Sequence, residues 1–277
     1  MLVEEKIRYR RFRKTLPMRA LLPNAVTALA LCFGLTGVRF AIAGDWERAV
    51  GAIIVAGVLD ALDGRIARLL KGESRFGAEL DSLSDVIAFG VSPAIILYLW
   101  SLQYLPGLGW VFALAHAVCC ALRLARFNAN LDVEDQPHKR AGFFTGVPSP
   151  AGAGLALLPI YLSLALASDT LRPLGIPSAV IAALQSPAVT APVIAATAFL
   201  MISNIPTFSW KSIRLPGSLR MLALLGVALL GGALFSAPWI TLSVVSLAYV
   251  LAIPFSIRSY MRVRRQRAAA ALARPAV

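Results

Sequence analysis

Four aspartates lie in two segments of this sequence that are otherwise strongly apolar. Asp60 and Asp63 are three residues apart, and Asp81 and Asp85 are four residues apart. If both segments are helical, each pair lies on one face of its helix and can be turned away from lipid. Because an ionised carboxylate is costly in hydrocarbon, acids in such segments indicate a functional site.

Carboxylates that are brought together repel one another unless a cation neutralises them. The hard oxygen ligands of Asp60, Asp63, Asp81 and Asp85, with no His or Cys near them in the sequence, favour Mg²⁺ or Mn²⁺ over zinc. Two divalent ions would balance four carboxylates, and a two-ion cluster suits substitution at phosphorus. The pattern therefore predicts two divalent cations, Mg²⁺ or Mn²⁺, and a phosphate-bearing substrate.

Small residues accompany the acids at Gly64, Ala67 and Gly77. They would leave room for a bulky phosphate-bearing ligand to approach the backbone. Close packing between two helices is the alternative explanation, and it is the simpler one for the small residues taken alone. The neighbouring acids favour the ligand.

The segments that carry the acids are typical of membrane-spanning helices. Of the 277 residues, 58% are hydrophobic and 15% are charged, whereas about a quarter of the residues of a soluble domain are charged. Apolar runs near the length of about 20 residues that crosses a bilayer recur along the chain. The sequence therefore predicts an all-α, polytopic membrane bundle of about eight helices, at 20–43, 47–70, 77–101, 109–129, 148–168, 186–204, 219–236 and 238–257.

Four parts of the chain follow from this division: an interfacial N-terminal segment (1–19), a helical core that carries the acids (20–204), two C-terminal membrane helices (205–257) and a basic tail (258–277). The longest polar insert, 130–145, is a candidate lid or acceptor-binding loop. Its His138 is a lone histidine in a charged loop, where solvation is the commoner explanation.

The positions of the basic residues along the chain explain the net charge of +13. With eight spans and the N-terminus inside, 24 of the 27 Lys and Arg residues lie on or near the cytoplasmic side. This is the positive-inside pattern, and it accounts for the charge without a nucleic-acid partner. We therefore expect a protein of the inner (cytoplasmic) membrane, with both termini and the acidic cluster on the cytoplasmic side.

The same residues fill the pattern D-x2-D-G-x2-A-R-x8-G-x3-D-x3-D without a gap. This pattern resembles the signature of the CDP-alcohol phosphatidyltransferase family. The resemblance implies an enzyme in which an alcohol displaces CMP from a CDP-linked lipid. It also implies that Asp60, Asp63 and Asp81 hold two divalent ions, while Asp85 shares a metal and takes the proton of the alcohol. The eight fixed positions are Asp60, Asp63, Gly64, Ala67, Arg68, Gly77, Asp81 and Asp85.

The family resemblance further implies a set of residues that contact the CDP-lipid: Asn24, Thr27, Gly64, Ala67, Arg68, Gly77 and Ser82. Some of these residues fit a simpler role equally well. Asn24 and Thr27 follow Pro23 and are also typical of a helix start. Arg68 could be a snorkelling anchor, and Ser82 could bond a backbone carbonyl of its own helix.

The sequence of four stretches (62–68, 79–85, 125–128 and 146–150) is similar to the bacterial branch of the family that uses serine as the acceptor. This likeness implies CDP-diacylglycerol and L-serine as substrates, membrane lipids around the protein, and a homodimer. It makes Arg123, Arg126 and Asn128 candidates for binding serine, although each arginine alone is more simply an anchor at a helix end.

Two other functions remain as alternatives. The same chemistry with glycerol 3-phosphate or inositol phosphate would need extra cations, and Arg123, Arg126, Lys139 and Arg140 are available for that. A metal or proton transporter could also use intramembrane acids. It has no need of small residues at fixed spacing, and the acids cluster near one side of the membrane instead of marking a path across it.

Overall fold

The computed structural model describes residues 18–129, 143–208 and 220–272. The first part of the chain is helical throughout, and one of its helices changes pitch in the middle. In chain order it contains α1 (Met18–Ile42), α2 (Trp46–Leu69), α3 (Arg75–Asp85), a π-helical segment (Val86–Val91), α4 (Ser92–Trp100), a 3₁₀ turn (Leu102–Tyr104) and α5 (Leu108–Ala129).

The rest of the described chain contains shorter helices and two short strands. In order these are β1 (Phe143–Thr145), α6 (Ser149–Ala156), α7 (Leu158–Ala167), a 3₁₀ turn (Arg172–Leu174), α8 (Ser178–Leu184), α9 (Pro187–Ile202), β2 (Pro206–Phe208), α10 (Arg220–Ser236) and α11 (Pro238–Leu272).

The two strands are the point at which the described chain departs from the all-α prediction. They pair antiparallel, with Phe144 opposite Thr207. Gly146 ends β1 in the left-handed region, at φ +73°, and its amide donates to the carbonyl of Ile205 (2.8 Å). A left-handed glycine and nearby prolines do not continue a helix, so this connection pairs as an extended ribbon.

In the part of the chain that the structure describes, four helices are long and apolar enough to cross a membrane: Arg19–Ile42, Arg75–Trp100, Leu108–Ala129 and Pro238–Val263. Two bent helix pairs, α6 with α7 and α8 with α9, raise the number to as many as six. The chain is therefore a helical membrane protein. The eight predicted spans are not confirmed, because α2 carries several charges and the apolar helix Met221–Ser236 is shorter than a span.

Two boundaries differ from those predicted. The single span expected at 148–168 is broken at Leu157, where α6 and α7 meet at 47°. Pro159 lies in the first turn of α7, where the ring suits a helix start and disfavours an uninterrupted helix. The last helix continues through the basic residues to Leu272, so the start of the predicted tail is helical.

The predicted N-terminal segment and the polar insert fall mostly outside the described residues. Residues 1–17 and 130–142 are not described, and His138 is among them. Their predicted roles stay predictions.

The apolar core lies beside the half of α2 that precedes the aspartates. Val50 and Ile53 of α2 pack with Ile96 of α4 and with Ile160 and Tyr161 of α7. A second cluster joins α2 to the π-helical segment and to α6 through Ala56, Ala88, Phe89 and Ala153. These contacts hold α2 against the helix that carries the second acid pair.

Candidate active site

The acid pairs lie on two helices joined by a short turn. α2 ends at Leu69, and Lys71 turns the chain with φ +49°. Ser74 then caps α3, since its Oγ accepts a hydrogen bond from the amide of Gly77 (3.0 Å). A serine at this position satisfies a free amide of the first turn, so the sequence itself starts α3 here. The turn sends α3 back alongside α2.

Three of the four aspartates converge as their spacing predicts. Asp60, Asp63 and Asp81 each offer a carboxylate oxygen, and these oxygens lie within 4.8 Å of one another. Asp63 is buried, and the other two are half-buried. The Asp85 carboxyl lies against that of Asp60, within reach of a hydrogen bond. The four acids therefore form one cluster between α2 and α3.

Thr27 of α1 ties the cluster to a third helix. Its hydroxyl donates to Asp63 Oδ2 (2.5 Å), and its backbone carbonyl accepts from the hydroxyl of Ser84 on α3 (3.2 Å). Thr27 and Ser84 are both buried. One residue of α1 thus holds α2 and α3 at the level of the acids. Sequence reasoning assigned Thr27 to substrate and did not anticipate this role.

A cavity of about 240 Å³ opens beside the acids. It is bounded by the start of α1, the end of α2, the turn and the start of α3. All the predicted CDP-lipid residues except Ser82 line it, together with Asp63 and Asp81. The full lining is Pro23, Asn24, Thr27, Asp63, Gly64, Ala67, Arg68, Gly72, Glu73, Ser74, Gly77, Ala78 and Asp81.

The two glycines of the cavity wall have different surroundings. A Cβ added to Gly64 would find only Arg68 Nη1 nearby, at 3.8 Å, so this position is open space. A Cβ added to Gly77 would lie 2.7 Å from Asn24 Oδ1, so the side chain of Asn24 packs against Gly77 and would have to move to admit a larger residue. Gly64 thus fits the ligand explanation of the small residues, and Gly77 fits the packing explanation.

One polar atom of the wall lacks a protein partner. Asn24 Nδ2 is buried and makes no hydrogen bond to any of the described residues. A buried amide donor without a partner is costly, so a ligand acceptor is the natural partner for it.

Ser82 lies outside the cavity lining. Its hydroxyl donates to the carbonyl of Ala78 (3.0 Å) and accepts from Asn128 Nδ2 at the end of α5 (2.9 Å). Its contacts thus fit the simpler role, in which Ser82 bonds a backbone carbonyl of its own helix. Asn128 reaches α3 through this bond and is absent from the cavity lining.

The two arginines of α5 are both engaged with the protein. Arg123 donates through Nε to the carbonyl of Val147 and lies 3.4 Å from the hydroxyl of Ser149. It also interacts electrostatically with Asp85.

Arg126 donates to the carbonyls of Ile202 (2.9 Å) and Ser203 (3.3 Å) and to Asn204 Oδ1 (3.1 Å). It thereby covers the carboxyl end of α9.

The donor set of the cluster fits a divalent cation. Its ligands are all carboxylate oxygens, gathered from two helices in a partly buried place. Hard oxygen donors of this kind suit Mg²⁺, Mn²⁺ or Ca²⁺ and do not suit metals that prefer sulfur or nitrogen. Like charges this close also need a cation to offset their repulsion.

Comparison with known proteins assigns the family. The model of the CDP-alcohol phosphatidyltransferase family matches residues 20–240, which include the whole acidic cluster and the cavity. The chain belongs to the CDP-alcohol phosphatidyltransferase family. It is therefore an enzyme of the phosphotransferase type, and this confirms the family expected from the spacing of the acids.

Several curated relatives of this phosphatidyltransferase are named CDP-diacylglycerol–serine O-phosphatidyltransferase. A Mycobacterium bovis protein is 36% identical over 239 residues, which cover 86% of this chain and 79% of that protein. A Mycobacterium leprae protein is 37% identical over 86% of this chain and 75% of its own length. A Helicobacter pylori protein is 37% identical over 51% of this chain and 58% of its own length.

Some residues of the phosphatidyltransferase site were missed by sequence reasoning. Glu73 and Ser74 line the cavity from the turn, and Ser84 supports Thr27. A serine just before an amphipathic segment is a helix-cap signal, so Ser74 could have been found. Nothing local distinguishes Glu73 or Ser84, because their positions depend on where α1 lies.

Proposed function

We propose that this phosphatidyltransferase transfers the phosphatidyl group of CDP-diacylglycerol to the hydroxyl of L-serine and releases CMP. The observation that carries the proposal is the cluster of Asp60, Asp63 and Asp81, whose carboxylate oxygens lie within 4.8 Å of one another and of which Asp63 and Asp81 line a cavity. The names of the curated relatives support serine as the acceptor.

In the proposed reaction, the serine hydroxyl oxygen forms a bond to the phosphatidyl phosphorus while the bond from that phosphorus to CMP breaks. CMP leaves with the bonding electrons, and Asp85 takes the hydroxyl proton. Asp85 is suited to this role because it lies at the cluster's edge, against Asp60 and near Arg123. A carboxylate held close to the reacting hydroxyl acts as a general base.

Asp60, Asp63, Asp81 and Asp85 are the residues that would hold two divalent cations, Mg²⁺ or Mn²⁺. When bound, such ions neutralise charge on phosphate oxygens. The protein's part is to keep the carboxylates together, and the hydrogen bond from Thr27 to Asp63 contributes to that. Reactions of this type depend on positioning more than on covalent catalysis.

The cavity residues would take the nucleotide and phosphates of CDP-diacylglycerol. Asn24 offers a buried donor without a partner, Gly64 leaves space, and Arg68 offers a cation at the cavity wall. Ala67 and Gly77 shape the same wall, and Thr27 contacts it beside Asp63. Ser82 has the least support as a ligand residue, because it bonds Ala78 and Asn128.

The acceptor would bind between Asp85 and the end of α5. Arg123 is the best-supported residue for the serine carboxylate, since it is close enough to Asp85 to interact with it. Serine places its carboxylate and its hydroxyl on adjacent carbons, which suits neighbouring cationic and basic groups. Arg126 and Asn128 complete the proposed acceptor side by holding α9 and α3 against α5.

For the whole protein we propose eight membrane spans in the inner membrane, with both termini and the cavity on the cytoplasmic side. The bias of 24 of 27 basic residues to one side supports this orientation. We also propose a homodimer, as the family resemblance implies.

The test of this function is CMP release by the purified protein in lipid or detergent. CDP-diacylglycerol and Mg²⁺ or Mn²⁺ are supplied with serine, glycerol 3-phosphate or inositol phosphate in separate reactions. We expect release only with serine and a divalent ion, and phosphatidylserine as the second product. Release only with a phosphorylated alcohol would replace serine as the acceptor. Absence of release with every acceptor would contradict the proposed chemistry.

Asp85→Asn tests the proposed base. We expect turnover to fall by about 10²–10⁴-fold, the usual effect of losing a general base, with the protein still in the membrane. Glu79→Gln is the matched control, because Glu79 is an exposed acid on the same helix and is absent from the cavity lining. A near-normal rate in the Asp85 variant would remove this residue from the chemistry.

A further inference from the structure

The helix that carries Asp81 and Asp85 changes its pitch immediately after Asp85. The next six residues, Val86–Val91, form a π-helix, in which the amide of Ser92 bonds to the carbonyl of Ile87. A π-turn contains one residue more than an α-turn, so it rotates everything that follows by about 100° relative to a regular helix. It is thus the joint between the acidic face of α3 and the buried apolar face of α4.

The sequence shows why the helix is irregular here. Phe89 is buried in this segment, and the α-helical donor for its carbonyl would be the amide of residue 93. That residue is Pro93, which has no N–H. The regular hydrogen bond of a buried carbonyl is thereby removed close to the proposed base.

α5 supplies a donor at that carbonyl. His116 is completely buried, and its Nε2 lies 3.3 Å from the carbonyl oxygen of Phe89. Because a carbonyl only accepts, Nε2 carries the proton, and Nδ1 is then an acceptor. Nδ1 is buried without a partner among the described residues. A polar ring with an unpaired nitrogen is costly inside a membrane-spanning helix, so packing alone does not account for histidine here.

A second contact on the same face of α5 involves Gly90, the residue that follows Phe89. A Cβ added to Gly90 would lie 2.9 Å from Cys120 Cβ. The backbone of the π-helical segment at Gly90 therefore lies almost directly against the side chain of Cys120 on α5. His116 and Cys120 are four residues apart and therefore share one face of α5. His116 and Cys120 thus contact Phe89 and Gly90, two residues that lie within five positions of Asp85.

We propose that His116 is a positioning residue, which holds the π-turn after Asp85 and thereby keeps the Asp85 carboxyl against Asp60. This inference rests on the proposed function, in which Asp85 belongs to the reacting cluster. It adds a residue that is absent from the cavity lining and from the acidic motif. Its chemistry is donation of one hydrogen bond to a carbonyl that proline has left without its regular donor.

The test compares His116→Gln with His116→Met. The two replacements have nearly the same length and volume, but only glutamine can donate to Phe89. We expect His116→Met to lower kcat about tenfold or more and to weaken Mn²⁺ binding, measured by electron paramagnetic resonance, by a similar factor. Loss of a residue that orients metal ligands typically costs 10–100-fold. The KM for CDP-diacylglycerol should change less than about twofold, and His116→Gln should restore both quantities to near wild type.

A purely structural role gives a different result. It would lower the thermal stability of His116→Met while kcat and Mn²⁺ affinity per folded protein stayed normal, and it would not separate Gln from Met. Either outcome overturns the proposal. Tyr161→Phe is the control, because it also removes a buried polar group, but from α7 in the apolar core cluster.

Two further measurements keep the test decisive. If His116→Met does not fold, Gly90→Ala disturbs the same joint from the other helix, and normal Mn²⁺ binding and turnover in that variant would overturn the proposal. Mn²⁺ binding also separates this inference from the proposed function. Absence of CMP release by the wild-type protein would contradict the function, whereas Mn²⁺ affinity in the Gln and Met variants would still decide the role of His116.

Discussion

The acidic wall of the cavity and the arginine end of α5 are both charged, yet they are built in opposite ways. In the acidic wall, Asp63 and Asp81 line the cavity and their carboxylates converge with that of Asp60, and the hydrogen bond from Thr27 links Asp63 to a neighbouring helix. At the end of α5, Arg123 and Arg126 give their donors to backbone carbonyls of other segments.

The carboxylates have few protein partners and can bind a ligand, whereas the two arginines already bond to the protein. Carboxylates gathered with little protein compensation carry an unbalanced charge, which a bound cation would offset. A guanidinium bonded to carbonyls already has protein partners for some of its donors, although its charge can still attract an anion. The acidic wall is therefore the stronger evidence for chemistry, and Arg123, which interacts electrostatically with Asp85, extends it toward α5.

Of the variants that test this comparison, those in the acidic wall should have the largest effect. Asp63→Asn should reduce CMP release by about 10²–10³-fold, since a charge that stabilises the reacting phosphate is lost. Asp45→Asn makes the same change at the other end of α2, where Asp45 caps the helix by accepting from the amide of Arg48. Asparagine caps as well as aspartate does, so this control should keep its activity. Equal losses in both variants would show that the effect is not specific to the cluster.

The two arginines should differ in the quantity that changes. Arg123→Gln should raise the KM for serine about tenfold, which is the loss of about one charge-assisted hydrogen bond. Arg126→Gln should leave that KM within about twofold and lower the unfolding temperature instead, because it removes donors from the carbonyls at the end of α9. Initial rates over a serine series, with thermal unfolding in detergent, measure both. A raised serine KM in the Arg126 variant would give this residue a direct part in acceptor binding.

The smallest expected effects are at the two glycines of the cavity. Gly64→Ala should raise the KM for CDP-diacylglycerol a few-fold with little change in stability, because its Cβ would enter open space in the cavity. Gly77→Ala should lower stability by at most about 1 kcal/mol, because its Cβ would displace the side chain of Asn24, which can move, rather than backbone. Kinetics and thermal unfolding of both variants test this. The reverse assignment of the two effects would place the ligand against α3 rather than α2.

The acidic cluster could be predicted because it depends on local geometry. Acids three or four residues apart share a helix face, and the turn between α2 and α3 is too short to place those helices far apart. The same reasoning identified Gly64, Ala67 and Gly77, which line the cavity. The family resemblance brought Asn24 and Thr27 to that wall, although Thr27 also serves to hold Asp63.

Contacts between distant segments could not be predicted in this way. Arg126 meets Ile202, which is 76 residues away, and no spacing rule links the two. His116 likewise reaches Phe89 across 27 residues and a helix boundary. The break at Leu157 was also missed: Pro159 signals a helix start, but the angle of 47° between α6 and α7 depends on their packing. These features depend on which helices become neighbours.

The sequence by itself determined that acids, small residues and an arginine recur at helical spacing inside apolar segments, and hence that a phosphate-handling site lies in a membrane protein. Local periodicity is sufficient for that, because it sets which side chains share a face. Only the tertiary structure decided which carbonyl each arginine bonds, that Thr27 holds the acids, and that α5 presses His116 onto the turn after Asp85. Those contacts follow from the packing of helices that are far apart in the chain. Because water is excluded there, each buried donor must bond to an acceptor that the fold places within reach.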